Sequence, residues 1–145
     1  MIQPTYVTYP QAKWLKEKRF NEPTLMFYPD EKWKSTDLYN SLHTEGVDDA
    51  SQIDNESWGN ILYAPEQWLV TEWLRVNHKI HIIVEPHINE NNNINGYTFC
   101  VFKTWQERVE HEINRLSSSE QPILYTTPQE AYSAAFDYII SNNLI

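Results

Sequence analysis

Residues 79–103 read KIHIIVEPHINENNNINGYTFCVFK. In the first half, Ile80, Ile82 and Val84 alternate with His81, Ile83, Glu85 and His87. Successive side chains of a strand point to opposite faces, so this alternation predicts a strand over 79–88 with one apolar face. The second half, YTFCVFK (97–103), is aromatic and β-branched and predicts a partner strand. NENNNING lies between them, and its asparagines and glycine tolerate the backbone angles of a tight connection. A lone hairpin is marginal in water and must bury a face against something else. The expected fold is therefore α+β: a small, mainly antiparallel sheet built on the 79–103 hairpin, with helices packed on one face.

The covering helices are read from their start signals. TYPQAKWLKEKRF (8–20) has Pro10 in its first turn, and APEQWLVTEWLRVNH (64–78) begins at Pro65 with Leu69, Trp73 and Val76 in a stripe. In the second of these, Asn77 is the expected end. TWQERVEHEINRL (104–116) offers Thr104 and Glu107 as a capping box, with Trp105, Val109, Ile113 and Leu116 aligned. TPQEAYSAAFDYIISNN (127–143) has Thr127 as cap, Pro128 at the first position and Asn142 and Asn143 at its end. Helices over 65–77 and 128–141 are the ones expected on the sheet. Short strands are predicted at LMFY (25–28) and PILY (122–125). This order can also be read as βαββαβ, a ferredoxin-like alternative. Three helix starts share a proline, but the cores behind them differ, so no internal repeat is inferred.

Residues 29–63 show weak periodicity and many turn formers. Leu38, Leu42, Val47, Ile53, Trp58 and Ile61 are spaced as anchors, which predicts a long surface excursion pinned at a few apolar points. The whole chain of 145 residues is read as one domain, 1–145, with this excursion within it.

Composition narrows the function. The chain carries a net charge of −9, which opposes general binding to phosphate backbones. Residues 30–63 are the most acidic stretch for their length, with eight acidic and two basic groups. Only three glycines are present and no GxxxxGK[ST] or GxGxxG occurs, so a glycine-rich nucleotide site is not expected. Cys100 is the only cysteine, which excludes an intrachain disulfide and a thiolate zinc cluster. It is read as a packing residue. The first residues have no apolar core of a secretory signal, and no stretch approaches a membrane span. A cytoplasmic protein with no cofactor is expected. Hydrolytic signatures such as G-x-S-x-G and H-E-x-x-H are absent from the sequence.

Three constellations are candidate sites. Asp48, Asp49, Asp54 and Glu56, with Trp33 and Trp58 nearby, can present carboxylates and aromatic anchors to a protein partner, or imitate nucleic-acid phosphates. The plain reading is a solvated polar loop. Second, Gly96, Tyr97, Phe99 and Phe102 fall in register with the signature strand of the RRM, an RNA-binding sheet. Asn95 stands in its basic position, Thr98 in its small one and Cys100 in its valine position. A single-stranded nucleic-acid module would use Tyr97 and Phe99, but the surrounding charge has the wrong sign, and a hairpin with core-facing rings is the simpler reading. Third, His81, Glu85 and His87 share a strand face and carry metal-ligating atoms, which would suit a metal-dependent enzyme. At ~3.3 Å per residue, His81 and Glu85 stand ~13 Å apart, so a polar sheet face is the simpler reading there too.

Two stretches carry a resemblance: TYPQAKWLKEKRFNEPT (8–24), and APEQWLVTEWLRVNHKIHIIVE followed by TPQEAYSAAFDYII. Together they resemble a group of short proteins of no assigned activity encoded by Bacteroides-type gut bacteria and their phages or integrated elements. The resemblance covers about half of the chain and leaves 30–63 and 104–121 unmatched. It implies context alone, an accessory gene of a mobile element acting inside a bacterial cell, and carries over no catalytic residue. The expected function is that of a non-enzymatic accessory protein that binds another protein through aromatics and an acidic surface. Nucleic acid and membrane are not expected partners, and homo-oligomerisation is left open.

Overall fold

Residues 4–29, 35–53, 55–105, 108–113 and 123–145 are described by the computed structural model. Contacts gather in two compact units, Met1–Gln67 and Trp68–Ile145. Each is built from helices and a three-stranded antiparallel sheet, an α+β architecture.

In the first unit, α1 (Tyr9–Glu17) starts where Thr8 donates its backbone N–H to Gln11 Oε1 at 3.0 Å, with Pro10 in the first turn. Gln11 is buried, and this bond satisfies its carbonyl. The helix closes in a Schellman turn: Arg19 takes a left-handed conformation, Phe20 N–H reaches Leu15 O and Arg19 N–H reaches Lys16 O. The chain then forms β1 (Met26–Tyr28), β2 (Tyr39–Asn40), α2 (Ser41–Thr44), a 3-10 turn at Ala50–Gln52, α3 (Asn55–Trp58) and β3 (Leu62–Tyr63). The sheet order is β2-β1-β3, so β1 is central, with Phe27 facing Tyr39 on one side and Tyr63 on the other. The Tyr28 hydroxyl donates to Val7 O at 2.8 Å, and Tyr6 bridges Glu66. That bridge keeps Pro65 and Glu66 extended, so the next helix begins two residues later than the proline predicts.

That helix, α4 (Gln67–Trp73), leads into a π turn over Leu74–His78 in the second unit. Lys79, at φ +59°, ends it in place of the expected Asn77, whose side chain instead bonds Trp73 O. The quoted hairpin forms as read: β4 (Ile80–Ile88) and β5 (Ile94–Trp105) pair from Ile80↔Lys103 to Ile88↔Ile94. Its reversal lies at Asn89–Asn93, where Asn89 Oδ1 accepts from the backbone of Asn91 and Asn93 and Asn92 is left-handed. Gly96 therefore does not make the turn. It sits within β5, where a Cβ would stand 2.9 Å from Leu124 Cβ.

Of the helix expected over 104–116, the described residues 104–105 and 108–113 are strand instead. β5 runs through Trp105, and β6 (Arg108–Ile113) pairs antiparallel with it, giving the order β4-β5-β6. Val109, His111 and Ile113 alternate in sequence, which suits a strand as well as the i, i+4 spacing suits a helix, and the free edge of β5 decides between them. Thr104 is a strand residue in contact with His81, and Glu107 and residues 114–116 lie outside the described residues. Among the described residues this sequential antiparallel order, β4-β5-β6, differs from the ferredoxin-like βαββαβ alternative. The strand expected at 122–125 reduces to one bridge: Tyr125 and Tyr97 exchange both backbone bonds, at 2.9 and 2.8 Å. Pro122 lies outside the described residues.

α5 (Pro128–Ser141) packs on β4 and β5 through Ala131, Ala135, Phe136 and Ile139, all buried. Its start is a complete capping box, with Thr127 Oγ1 accepting from Glu130 N–H and Glu130 Oε2 from Thr127 N–H. Its end is a second Schellman turn through Asn143 and Leu144. Thr127→Ala is expected to cost about 1 kcal/mol, read as a lower urea midpoint at unchanged slope.

Candidate protein-binding surface

Residues 35–63 contain six carboxylates and neither lysine nor arginine. The described part of this segment is folded onto the first unit. Ser41 N–H bonds Leu25 O at 2.8 Å and Ala50 N–H bonds Thr24 O at 2.7 Å, which stitch it back to the approach of β1. Asn40 caps α2 by accepting from Leu42 and His43 N–H, and the buried Ser41 hydroxyl donates to Val47 O. Below it lies a cluster of Phe27, Ala50, Ile53 and Ile61, with Tyr39, Val47, Trp58 and Tyr63 packed around it. The rings of Phe27, Tyr39 and Trp58 meet pairwise at 5.3–5.9 Å.

On this support Asp37, Glu45, Asp48 and Glu56 are exposed, and Asp49 is half-buried. Asp49 Oδ1 accepts from Ser51 N–H and so starts the 3-10 turn. Asp48 Oδ1 accepts from Gln52 Nε2 at 3.5 Å, and Asp37 Oδ2 from the Ser35 hydroxyl. Burial, and secondarily the Asp49 carboxylate, push the Tyr63 phenol above its ordinary pKa. Trp58 is half-buried and its indole N–H donates to Glu45 Oε1 at 2.6 Å, so it backs the surface and orients one of its carboxylates. Trp33 and Asp54 lie outside the described residues. Of the expected apolar anchors, Val47, Ile53, Trp58 and Ile61 pack inward, whereas Leu42 is 50% exposed. The sequence pattern marks Leu42 as apolar but not as outward-facing, because that depends on how α2 is rolled onto β1.

The hairpin rings are engaged elsewhere. Phe99 packs against Tyr125 and Tyr138, at 6.0 and 6.1 Å between centroids, and Tyr97 is half-buried with its backbone tied to Tyr125. They share the face that carries Val101, Ile80 and Ile82 under α5. Phe102, one step out of phase, lies on the other face, stacked on His81 at 5.4 Å. Trp14 is buried in the first unit. Trp68, at 63% exposed, is the tryptophan that α4 turns outward.

His81, Glu85 and His87 do share the face opposite α5, since they pair with Phe102, Thr98 and Gly96. Each imidazole has its own neighbour: His81 Nε2 lies 3.2 Å from Thr104 Oγ1, and His87 Nδ1 lies 2.8 Å from Asn95 Oδ1. Among the described residues, no three His, Cys, Asp or Glu side chains gather as a metal site. Burial, and then the Arg75 and Lys79 charges, hold the His81 pKa below its ordinary 6.5. The folded chain thus binds this proton less tightly than the unfolded chain. Its contribution is whole above pH 6.5 and is lost as pH falls through the lower folded value. Thermal stability is expected to decline as pH falls from 6.5 to that lower value, and His81→Gln should flatten the decline when melting temperatures are compared across pH.

No family model, curated protein sequence or solved structure matches this chain. No described helix is long and apolar enough to cross a membrane.

Proposed function

We propose that the chain is a non-enzymatic accessory protein of a phage or mobile element that acts in the bacterial cytoplasm by binding another protein. The contact is made by the acidic surface of residues 35–58, with Leu42 as its apolar element, and the partner presents a basic groove of the kind that holds nucleic-acid phosphates. What supports this reading is a segment without lysine or arginine whose five described carboxylates, Asp37, Glu45, Asp48, Asp49 and Glu56, stand on chain that is folded onto an aromatic cluster. Carboxylates held in place lose less entropy on binding than those of a mobile loop, and a field of one sign speeds encounter with an oppositely charged face.

The test is capture from host lysate by the immobilised wild-type chain and by the triple variant D37N/D48N/E56Q, followed by mass spectrometry and then by reconstitution with the purified partner. These positions are exposed, so neutralising them spares the core. The expected result is a basic partner retained by the wild type, lost from the variant and displaced by duplex DNA. Equal retention by both chains would remove the electrostatic basis of the proposal.

A further inference from the structure

The first unit contains a cavity of about 210 Å³ that the acidic surface does not use. Its apolar wall is Ala12, Leu15, Phe20 and Ile61, each of them buried. Leu15 and Phe20 are the two residues that a Schellman turn brings together at a helix end, so the wall follows from the way α1 stops. Lys16, Asn60 and Tyr63 also line it and supply its polar side. Lys16 is exposed, and its ammonium donates to Ile61 O at 3.3 Å, a long bond that leaves two of its three protons for another acceptor. Lys16 is the one charged side chain among the described residues that line the cavity.

The size and the charge together select an occupant. An apolar cavity of about 150 Å³ already accepts benzene. The larger volume here takes a six-membered ring with a short arm, and the lone cation calls for a single negative charge on that arm. We propose that this cavity binds a small apolar monocarboxylate, its ring against Leu15, Phe20 and Ile61 and its carboxylate on the Lys16 ammonium. A dianion such as a phosphate monoester finds only one cation here, within a chain of net charge −9. The site is separate from the protein-binding reading and stands or falls without it.

The experiment is a ¹H–¹⁵N titration of the full chain with 3-phenylpropanoate, 3-phenylpropanamide and acetate. Saturable shifts are expected with the aromatic acid at the amides of residues 12–20 and 61–63, with about fivefold weaker binding of the neutral amide and none of acetate. Lys16→Met keeps the apolar stem and should weaken the acid by the same factor, while Lys13→Met, an equal loss of charge on the same helix, should leave it unchanged. No saturable shift at the cavity up to the solubility of the acid would overturn the site. Equal binding of acid and amide, or full affinity in Lys16→Met, would overturn the carboxylate assignment.

Discussion

Phe27→Ala is expected to remove about 3–5 kcal/mol of stability, the cost of emptying a large site in a packed core. Phe27 is fully buried in the central strand of the first sheet, pairs with Tyr39 and Tyr63, and meets the Trp58 ring edge-on at 5.3 Å. Its loss leaves Trp58 and Tyr39 without their common neighbour, so the acidic segment loses its support along with the core. The readouts are the urea midpoint and the exchange protection of the Ser41 and Ala50 amides, which bond back to Leu25 and Thr24. A midpoint within experimental error of wild type would mean that the cluster is not what holds residues 35–58 in place. Because single domains have ~5–15 kcal/mol in total, a loss of the expected size is also expected to abolish partner capture at physiological temperature.

Gly96→Val is expected to cost about 2–4 kcal/mol, the sum of a strained backbone angle and a forced contact. Gly96 has φ +156°, and a Cβ there would stand 2.9 Å from Leu124 Cβ and 3.1 Å from Tyr125 O. The neighbour at the second contact is backbone, which cannot turn aside as a flexible side-chain end can. The bridge between Tyr97 and Tyr125 is the first structure to yield, so fast exchange at those two amides should accompany the lower midpoint. Gly96→Ala should show the same loss in smaller measure. Retained protection at Tyr97 and Tyr125 in the valine variant would show that the approach of Leu124 to β5 is looser than described.

The elements readable from the sequence are those whose signals are local. Thr127, Pro128 and Glu130 fix the start of α5 within one turn, and the alternation over 79–88 fixes β4, because capping and side-chain period act between near neighbours. Residues 104–116 were not readable in this way. Val109 and Ile113 satisfy both a helical and an extended period, and the outcome turns on a free edge of β5 that no local signal announces. The site divides along the same line. Clustering of carboxylates is a property of composition and is plain in residues 30–63. The placement of Trp58 is not, since it depends on Phe27, thirty-one positions earlier in the chain. The cavity is the least legible feature of all: its walls come from α1 with its closing turn and from residues 60–63, and Lys16 reaches a carbonyl 45 positions away.

The proposed role rests on the acidic surface steering a basic partner, and the most direct measurement is the association rate of the purified partner as ionic strength is raised. Wild type should associate rapidly at low salt and slow steeply as salt is added, with D37N/D48N/E56Q slower at the start and nearly flat throughout, and with similar dissociation rates for both. Overlapping salt profiles for the two chains would contradict the account, because the carboxylates of residues 35–58 would then contribute nothing to the encounter.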